Sequence, residues 1–395
     1  MGRRRVTPAM FAVAGVSTCL AACGGVSSSS APASVSATPT ATPAPLPPLV
    51  VTETPPSSGS GESTIALRRL DGSTVASTNL SGSFVSNIDI AIGRSHVFVL
   101  KGNSVHELGR DGSDKNIGMV PNVQSDSTID ATARSGNLGI AVSPDESQML
   151  FSIPISATSP GSCSLACNFD SQLFIGPLGG TAAKVADDSN DARGLLSPIV
   201  WTKSTIWMNT LGFGLGGAGP FFDVSAIGAR TFDPSAHTLG DPSTCGYSDA
   251  GAILTNDDRA CALSFSGGST QNGPPKVTVY TSSGSTSVGV SQITSSAVIG
   301  AFRVSPDGTK LAFGVSSGTP NSNSSGPAFT YETHIVTLST MQTVTVSGVV
   351  PAVWLPDGRL VVTASYKDGA SSIVAASGGS PSMLTSDTVI GVLTG

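Results

Sequence analysis

Cysteine is the residue type here whose chemistry depends most on spacing. Cys163, Cys167, Cys245 and Cys261 form an even set downstream of residue 150, which suits disulfide formation in an oxidising compartment. The spacing pairs Cys163 with Cys167 inside one loop and Cys245 with Cys261 across a 17-residue loop. Closing the longer loop would contribute about 3 kcal/mol if unstrained. A four-Cys zinc site competes with this reading, but Cys-x3-Cys followed by Cys-x15-Cys lacks the usual Cys-x2-Cys spacing; a buried free thiol at Cys261 is the other alternative. His96, His106, His237 and His334 are scattered, with no HExxH and no i, i+4 pair. Nor is there a GxSxG elbow to single out a serine. Gly212 to Gly217 (GFGLGG) fits GxGxxG formally but lacks the strand-turn-helix context that gives the motif meaning. The densest acidic run is Asp187, Asp188, Asn190 and Asp191, but Ala192 stands where an EF-hand loop would carry Gly and Arg193 follows, so it reads as a solvated turn. Neither a metal nor a cofactor is expected.

The other two of the six cysteines, Cys19 and Cys23, lie near the N-terminus. Arg3, Arg4 and Arg5 precede an apolar stretch from Met10 to Ala22 that is too short to span a bilayer, which needs about 20 residues, so it reads as an export signal. Leu20-Ala21-Ala22-Cys23 follows at once and resembles the lipobox of bacterial lipoproteins. That resemblance implies removal of residues 1–22, loss of Cys19, and a mature chain whose first residue, Cys23, is acylated with palmitate and held to the membrane. VTPAM after the arginines departs from a twin-arginine signal, which leaves the export route open. Residues 23–48 carry no charge and are almost wholly Ser, Ala, Thr, Pro, Gly and Val. That composition builds a disordered linker, not a core.

Charged residues make up 12% of the chain, and removing the three leader arginines takes the net charge from −6 to −9. Nucleic acid is thereby disfavoured as a partner, because phosphate binding needs clustered Lys and Arg. With 46 Gly, 26 Pro and few Lys, Glu or Leu, long surface helices are disfavoured and short strands joined by turns fit better.

Three segments repeat: IAVSPDESQMLFSI (140–153), FRVSPDGTKLAFGV (302–315) and AVWLPDGRLVVTAS (352–365). Each is an apolar run, a turn and another apolar run. Pro presets φ, Asp145, Asp307 and Asp357 bond neighbouring backbone, and Gly308 and Gly358 accept the left-handed conformation. Weaker copies centre on Arg94, Ser204 and Asp257, at a pitch near 50 residues. The aspartates are thus expected to be structural. Such a period predicts an all-β chain, a β-propeller of seven blades over 49–395, with six blades as the runner-up. The seventh blade needs both chain ends, Val389 to Leu393 supplying the first strand beside Leu49 to Thr52 and closing the ring.

The xSPDGxxLAF pattern is similar to the TolB-type, WD40-like Asp repeat of exported bacterial propellers, with intact PDG in only two copies. The resemblance implies a protein-binding scaffold, while related propellers cap peptidases or act as lyases. Long insertions recur between the second and third strands, at about 154–170, 210–230, 266–275 and 316–329, bringing Phe213, Phe221, Phe222 and Tyr331 to one rim. Loops on a rigid scaffold are where recognition usually resides. The expectation is a non-enzymatic, lipid-anchored envelope protein facing the periplasm or exterior and binding a protein or glycan through this rim. The alternative is a hydrolase or polysaccharide lyase with two carboxylates, or His with carboxylates, gathered in the central funnel.

Overall fold

The computed structural model describes residues 46–56, 62–81, 90–123, 138–157, 169–187, 195–212, 225–241, 251–253, 259–262, 277–281, 284–288, 297–317, 329–365 and 368–395. All of them belong to the unit Pro45–Gly395. The leader, Cys23, most of the linker, Cys163, Cys167, Cys245, Asp257, Phe213, Phe221 and Phe222 lie outside the described residues.

Among those residues the chain is all-β, in seven four-stranded antiparallel sheets. Sheet 1 contains, in hydrogen-bonded order, Thr388–Leu393, Leu49–Thr54, Glu62–Arg68 and Thr74–Ser81. Sheet 2 contains Ile90–Ile92, His96–Lys101, Ser104–Gly109 and Asp114–Met119; sheet 3 contains Gly139–Val142, Gln148–Ala157, Phe169–Pro177 and Ala183–Asp187. Sheet 4 contains Leu195–Trp201, Ile206–Gly212, Ser225–Asp233 and Thr238–Leu239; sheet 5 contains Gly251–Ile253, Arg259–Ala262, Val277–Thr281 and Gly284–Val288. Sheet 6 contains Val298–Val304, Lys310–Ser317, Thr330–Thr337 and Gln342–Ser347; sheet 7 contains Val350–Trp354, Leu360–Ser365, Asp368–Val374 and Ser382–Thr385. Sheet 1 alone mixes distant parts of the chain. Its first two strands pair Leu49 with Leu393, Val50 with Val392 and Val51 with Gly391.

Apolar layers lie between sheets rather than at one centre. Phe302, Leu311, Phe313 and Val315 of sheet 6 meet Val277, Val279 and Val288 of sheet 5, and Val50 and Val389 of sheet 1 meet Leu355, Val361 and Ile373 of sheet 7. Second strands with described side chains, those of sheets 1 to 4, 6 and 7, are therefore covered on both faces, and Val97, Phe98 and Val99, like Leu360, Val361 and Val362, are fully buried. This explains their continuous apolar runs, which a one-sided strand would break by alternation. Trp354 ties sheet 7 to sheet 6 by donating its indole N–H to the Arg303 carbonyl, 3.0 Å away. A bulge recurs in first strands, with register shifts at Pro198/Val200, Gly300/Arg303, Pro351/Val353 and opposite Val51/Thr52. Bulges sharpen local twist, and here they fall where first strands of neighbouring sheets pack together.

The turns joining first to second strands show why the Ser-Pro-Asp-Gly pattern repeats. Asp307 Oδ1 accepts from the Ser305 hydroxyl at 2.6 Å, the Thr309 amide at 3.0 Å and the Thr309 hydroxyl at 2.9 Å. Those donors, Ser305 first, lower its carboxyl from the usual range to about 2. Asp145 repeats the arrangement with Ser143 and Ser147, and Asp357 accepts from the Arg359 amide at 3.1 Å and its guanidinium at 2.8 Å. Gly308 and Gly358 have φ of 68° and 81°, and Glu146 takes the same place at 56°. A Cβ on Gly358 would meet nothing within 4 Å, so only backbone strain opposes substitution. Gly358→Val should lower stability by about 1–2 kcal/mol, read as a reduced urea midpoint with unchanged slope; an unchanged midpoint would show that the turn tolerates a β-branched residue.

Candidate functional site

Two ends of each sheet differ. Connections from first to second strand and from third to fourth open at one end; those from second to third, and from fourth to the next sheet, open at the other. At the first end the turns are short, such as 93–95, 143–147, 305–309 and 355–359. At the other end the second-to-third connections of sheets 3 to 6 span 158–168, 213–224, 263–276 and 318–329, and the link from sheet 2 to sheet 3 spans 120–138. Phe213, Phe221 and Phe222 belong to the second of these connections. Tyr331 stands at the start of a third strand, at the same end.

Tyr331 borders a cavity of about 510 Å³ lined by Val315, Phe329, Glu332, Ser347 and Gly348 among others. Its ring lies 6.4 Å from Phe329 at 51°, and burial raises its phenol above the ordinary range. The same strand turns His334 inward, stacked on Phe313 at 5.5 Å and 8°. Its Nε2 lies 3.2 Å from Glu332 Oε2, but Nδ1 is buried without a partner. Burial outweighs Glu332 and lowers the imidazole below its usual range. The folded protein thus holds His334 neutral while the unfolded chain takes up a proton below about pH 6.5, so acid favours unfolding. Stability should fall between pH 7 and 5, and His334→Phe should flatten that fall; identical pH profiles for the two proteins would contradict the assignment.

A second cavity, of about 440 Å³, forms where first strands converge, lined by 90–94, 140–144, 198–201, Ile390, Val392 and Thr394. Its described lining carries one charge, Arg94, and no Asp, Glu or His. Among these described residues there is no pair of carboxylates, nor a His with a carboxylate, of the kind glycosidic or peptide cleavage uses.

Sequence reasoning missed four polar clusters. Glu146 crosses from sheet 3 to sheet 2, accepting from the Ser95 amide at 2.7 Å and facing His96 Nδ1 at 2.7 Å, while His96 Nε2 lies 3.8 Å from Glu107. This meets the requirement of a His with carboxylates, but none of the three is among the described lining residues of the 440 Å³ cavity. Burial would raise the Glu146 carboxyl, yet the Ser95 amide and His96 together lower it, and both oxygens are occupied by donors. A Cβ on Gly93 would come within 2.2 Å of Glu146 Oε1, so glycine there admits the carboxylate. The arrangement suits an inter-sheet lock. Asp114 forms a second such lock, bonded by Lys101 and Thr78 at 2.8 and 2.7 Å and by His106 at 2.7 Å. Against the opposing effect of burial, these hold its carboxyl well below the usual range. Arg110 donates to the carbonyls of Pro47 and Leu393 at 2.6 and 2.8 Å, and Arg68 meets Asp387 at 2.5 Å, so both join segments from the two ends of the unit.

Of the expected cysteines only Cys261 is described, in the second strand of sheet 5 opposite Gly251 and Thr278. Asp187 accepts from Gln172 and Lys184. Among the described residues no group of three or more His, Cys, Asp or Glu is arranged to hold a metal.

No protein-family model and no curated protein sequence matches the chain. Solved structures do. The chain is similar to a putative TolB from Agrobacterium tumefaciens (12% identity, 69% of this chain and 83% of that one, TM-score 0.37). It is also similar to the β-propeller domain of the Trilobed protease from Pyrococcus furiosus (10%, 82% of each, 0.37) and to an oligogalacturonate lyase in complex with manganese (10%, 89% and 98%, 0.43). Likeness at this level says nothing of activity, and the fold rests on the strand pairing itself.

Proposed function

We propose that the seven sheets are blades of one closed β-propeller, that the mature chain is lipid-anchored at Cys23 in the bacterial envelope, and that the domain is a binding scaffold for an extracytoplasmic protein or glycan. The observation that carries the binding role is the asymmetry of the connections, long at one end of sheets 3 to 6 and short at the other. Neutral drift in loop length would scatter insertions over both ends. Concentrating them at one end builds a single surface from several blades, with the Phe329 and Tyr331 rings beside it. Aromatic residues set among Gly and Ser suit adaptable recognition.

Ring closure is supported by the pairing of Thr388–Leu393 with Leu49–Thr54 and by the apolar layer between sheets 7 and 1. Anchorage is supported by the leader, lipobox and linker order. The rim assignment is tested by replacing 213–224, with Phe213, Phe221 and Phe222, by a short Gly-Ser turn in a soluble Cys23→Ser protein. Capture of envelope partners from the native cell should fall at least about tenfold, a loss of roughly 1.4 kcal/mol or more, with an unchanged melting curve. Undiminished capture would overturn the rim assignment.

A further inference from the structure

The direction of the strands fixes where the anchoring segment leaves the domain. In sheet 1, Leu49–Thr54 is the second strand, so it starts at the short-turn end, where first-to-second connections lie. Four contacts locate that start among short turns. Arg110, in the turn between the third and fourth strands of sheet 2, donates to the Pro47 carbonyl at 2.6 Å. Arg94, in the first-to-second turn of that sheet, donates to the Gly395 carbonyl at 2.9 Å, and the Gly395 amide donates to the Arg94 carbonyl at 2.9 Å. Leu46 lies against Gly395, where an added Cβ would come within 3.1 Å of it.

From this we infer that the short-turn end of the propeller faces the anchoring membrane and the long-loop end faces away, so that the rim serves a partner outside that membrane, in solution or on an apposed surface, and not the bilayer itself. The inference rests on anchorage at Cys23.

Magnitudes support the orientation. The segment from Cys23 to Leu46 has a coil reach of about 26 Å. To turn the rim toward the membrane, it would have to pass outward across the third and fourth strands, at about 5 Å each, and then along a strand of about 20 Å. That path, roughly 30 Å, is longer than the mean coil reach but well within the roughly 75 Å the segment would span in polyproline II, so inversion draws the tether out while the direct exit leaves it relaxed. Pro47 and Pro48, immediately ahead of the first strand, have φ fixed by their rings and oppose a sharp reversal there. Charge at the short-turn end favours neither orientation, because its described turns mix Arg94, Arg110 and Lys203 with Asp111, Asp145 and Asp307 and present no single-sign patch to a headgroup layer.

The test uses the full acylated protein in phosphatidylcholine vesicles containing lipids spin-labelled at the headgroup. A fluorescent amino acid is placed at Lys203, exposed in the short turn of sheet 4, or at Thr330, exposed at the loop end of sheet 6. Quenching should be several-fold stronger at Lys203 than at Thr330, and both signals should lose their quenching in Cys23→Ser, which should no longer float with the vesicles. Equal or reversed quenching in a protein that floats through Cys23 would overturn the orientation while leaving the anchor intact. Flotation that survives Cys23→Ser, or absence of flotation in the wild type, would instead remove the anchor and the orientation with it.

Discussion

Deleting residues 388–395 is expected to abolish cooperative folding. Val389 and Leu393 are almost wholly buried, and losing their burial forfeits about 1.5–3 kcal/mol each. The deletion also strips the ladder from Leu49–Glu53 and removes the Leu393 carbonyl that Arg110 bonds. Those losses approach the whole stability of a typical domain, roughly 5–15 kcal/mol. They leave Leu49–Thr54 as an unpaired edge prone to association. Far-ultraviolet circular dichroism in urea should show a broad, non-cooperative transition, and size-exclusion chromatography should show aggregates. Adding a peptide of residues 386–395 should restore part of the transition by refilling the vacancy. A truncated protein with a sharp transition at the wild-type midpoint would show that the last strand is dispensable.

The second large effect is expected at Phe313. Its side chain is fully buried, with Phe302 at 5.6 Å and 25° on one side and His334 at 5.5 Å on the other. It also belongs to the layer shared by sheets 5 and 6. Removing the ring would leave a cavity in a closely packed region, and Phe313→Ala should cost about 3–5 kcal/mol. Phe313→Leu should cost clearly less, because most of the volume is retained. Urea midpoints multiplied by a common slope give both values. A cost below about 1 kcal/mol for the alanine variant would mean that the layer collapses without penalty.

Those two positions illustrate how far the sequence could be read. The pitch of the Pro-Asp turns marks first-to-second connections, because a tight turn is specified by local chemistry, and Asp145, Asp307 and Asp357 bond within two residues of themselves. Assigning Val389 to Leu393 as a first strand also depended on local pattern, its likeness to Val298 to Phe302. The polar locks were not legible. Glu146 reaches residues 50 and 51 positions away, and Arg68 reaches across 319, so both depend on how neighbouring sheets are aligned. One signal was available for Glu146. A long charged residue stands where its sister turns carry Gly308 and Gly358, and holds φ at 56°, a departure that marks a side chain put to use. The recurrent first-strand bulge left no mark either, since Ile199, Ala301, Ala352 and Ile390 share nothing in residue type beyond being apolar.

Amide hydrogen exchange, resolved residue by residue over 49–54 and 388–393, tests the closed ring most directly. If the two segments are hydrogen-bonded neighbours within one blade, the paired amides should be protected as strongly as those of Leu360–Ser365 in sheet 7 and should open together with them. Exchange at the rate of an unstructured peptide in either segment, with sheets 2 to 7 still protected, would contradict the closure on which the shared rim and its outward orientation both depend.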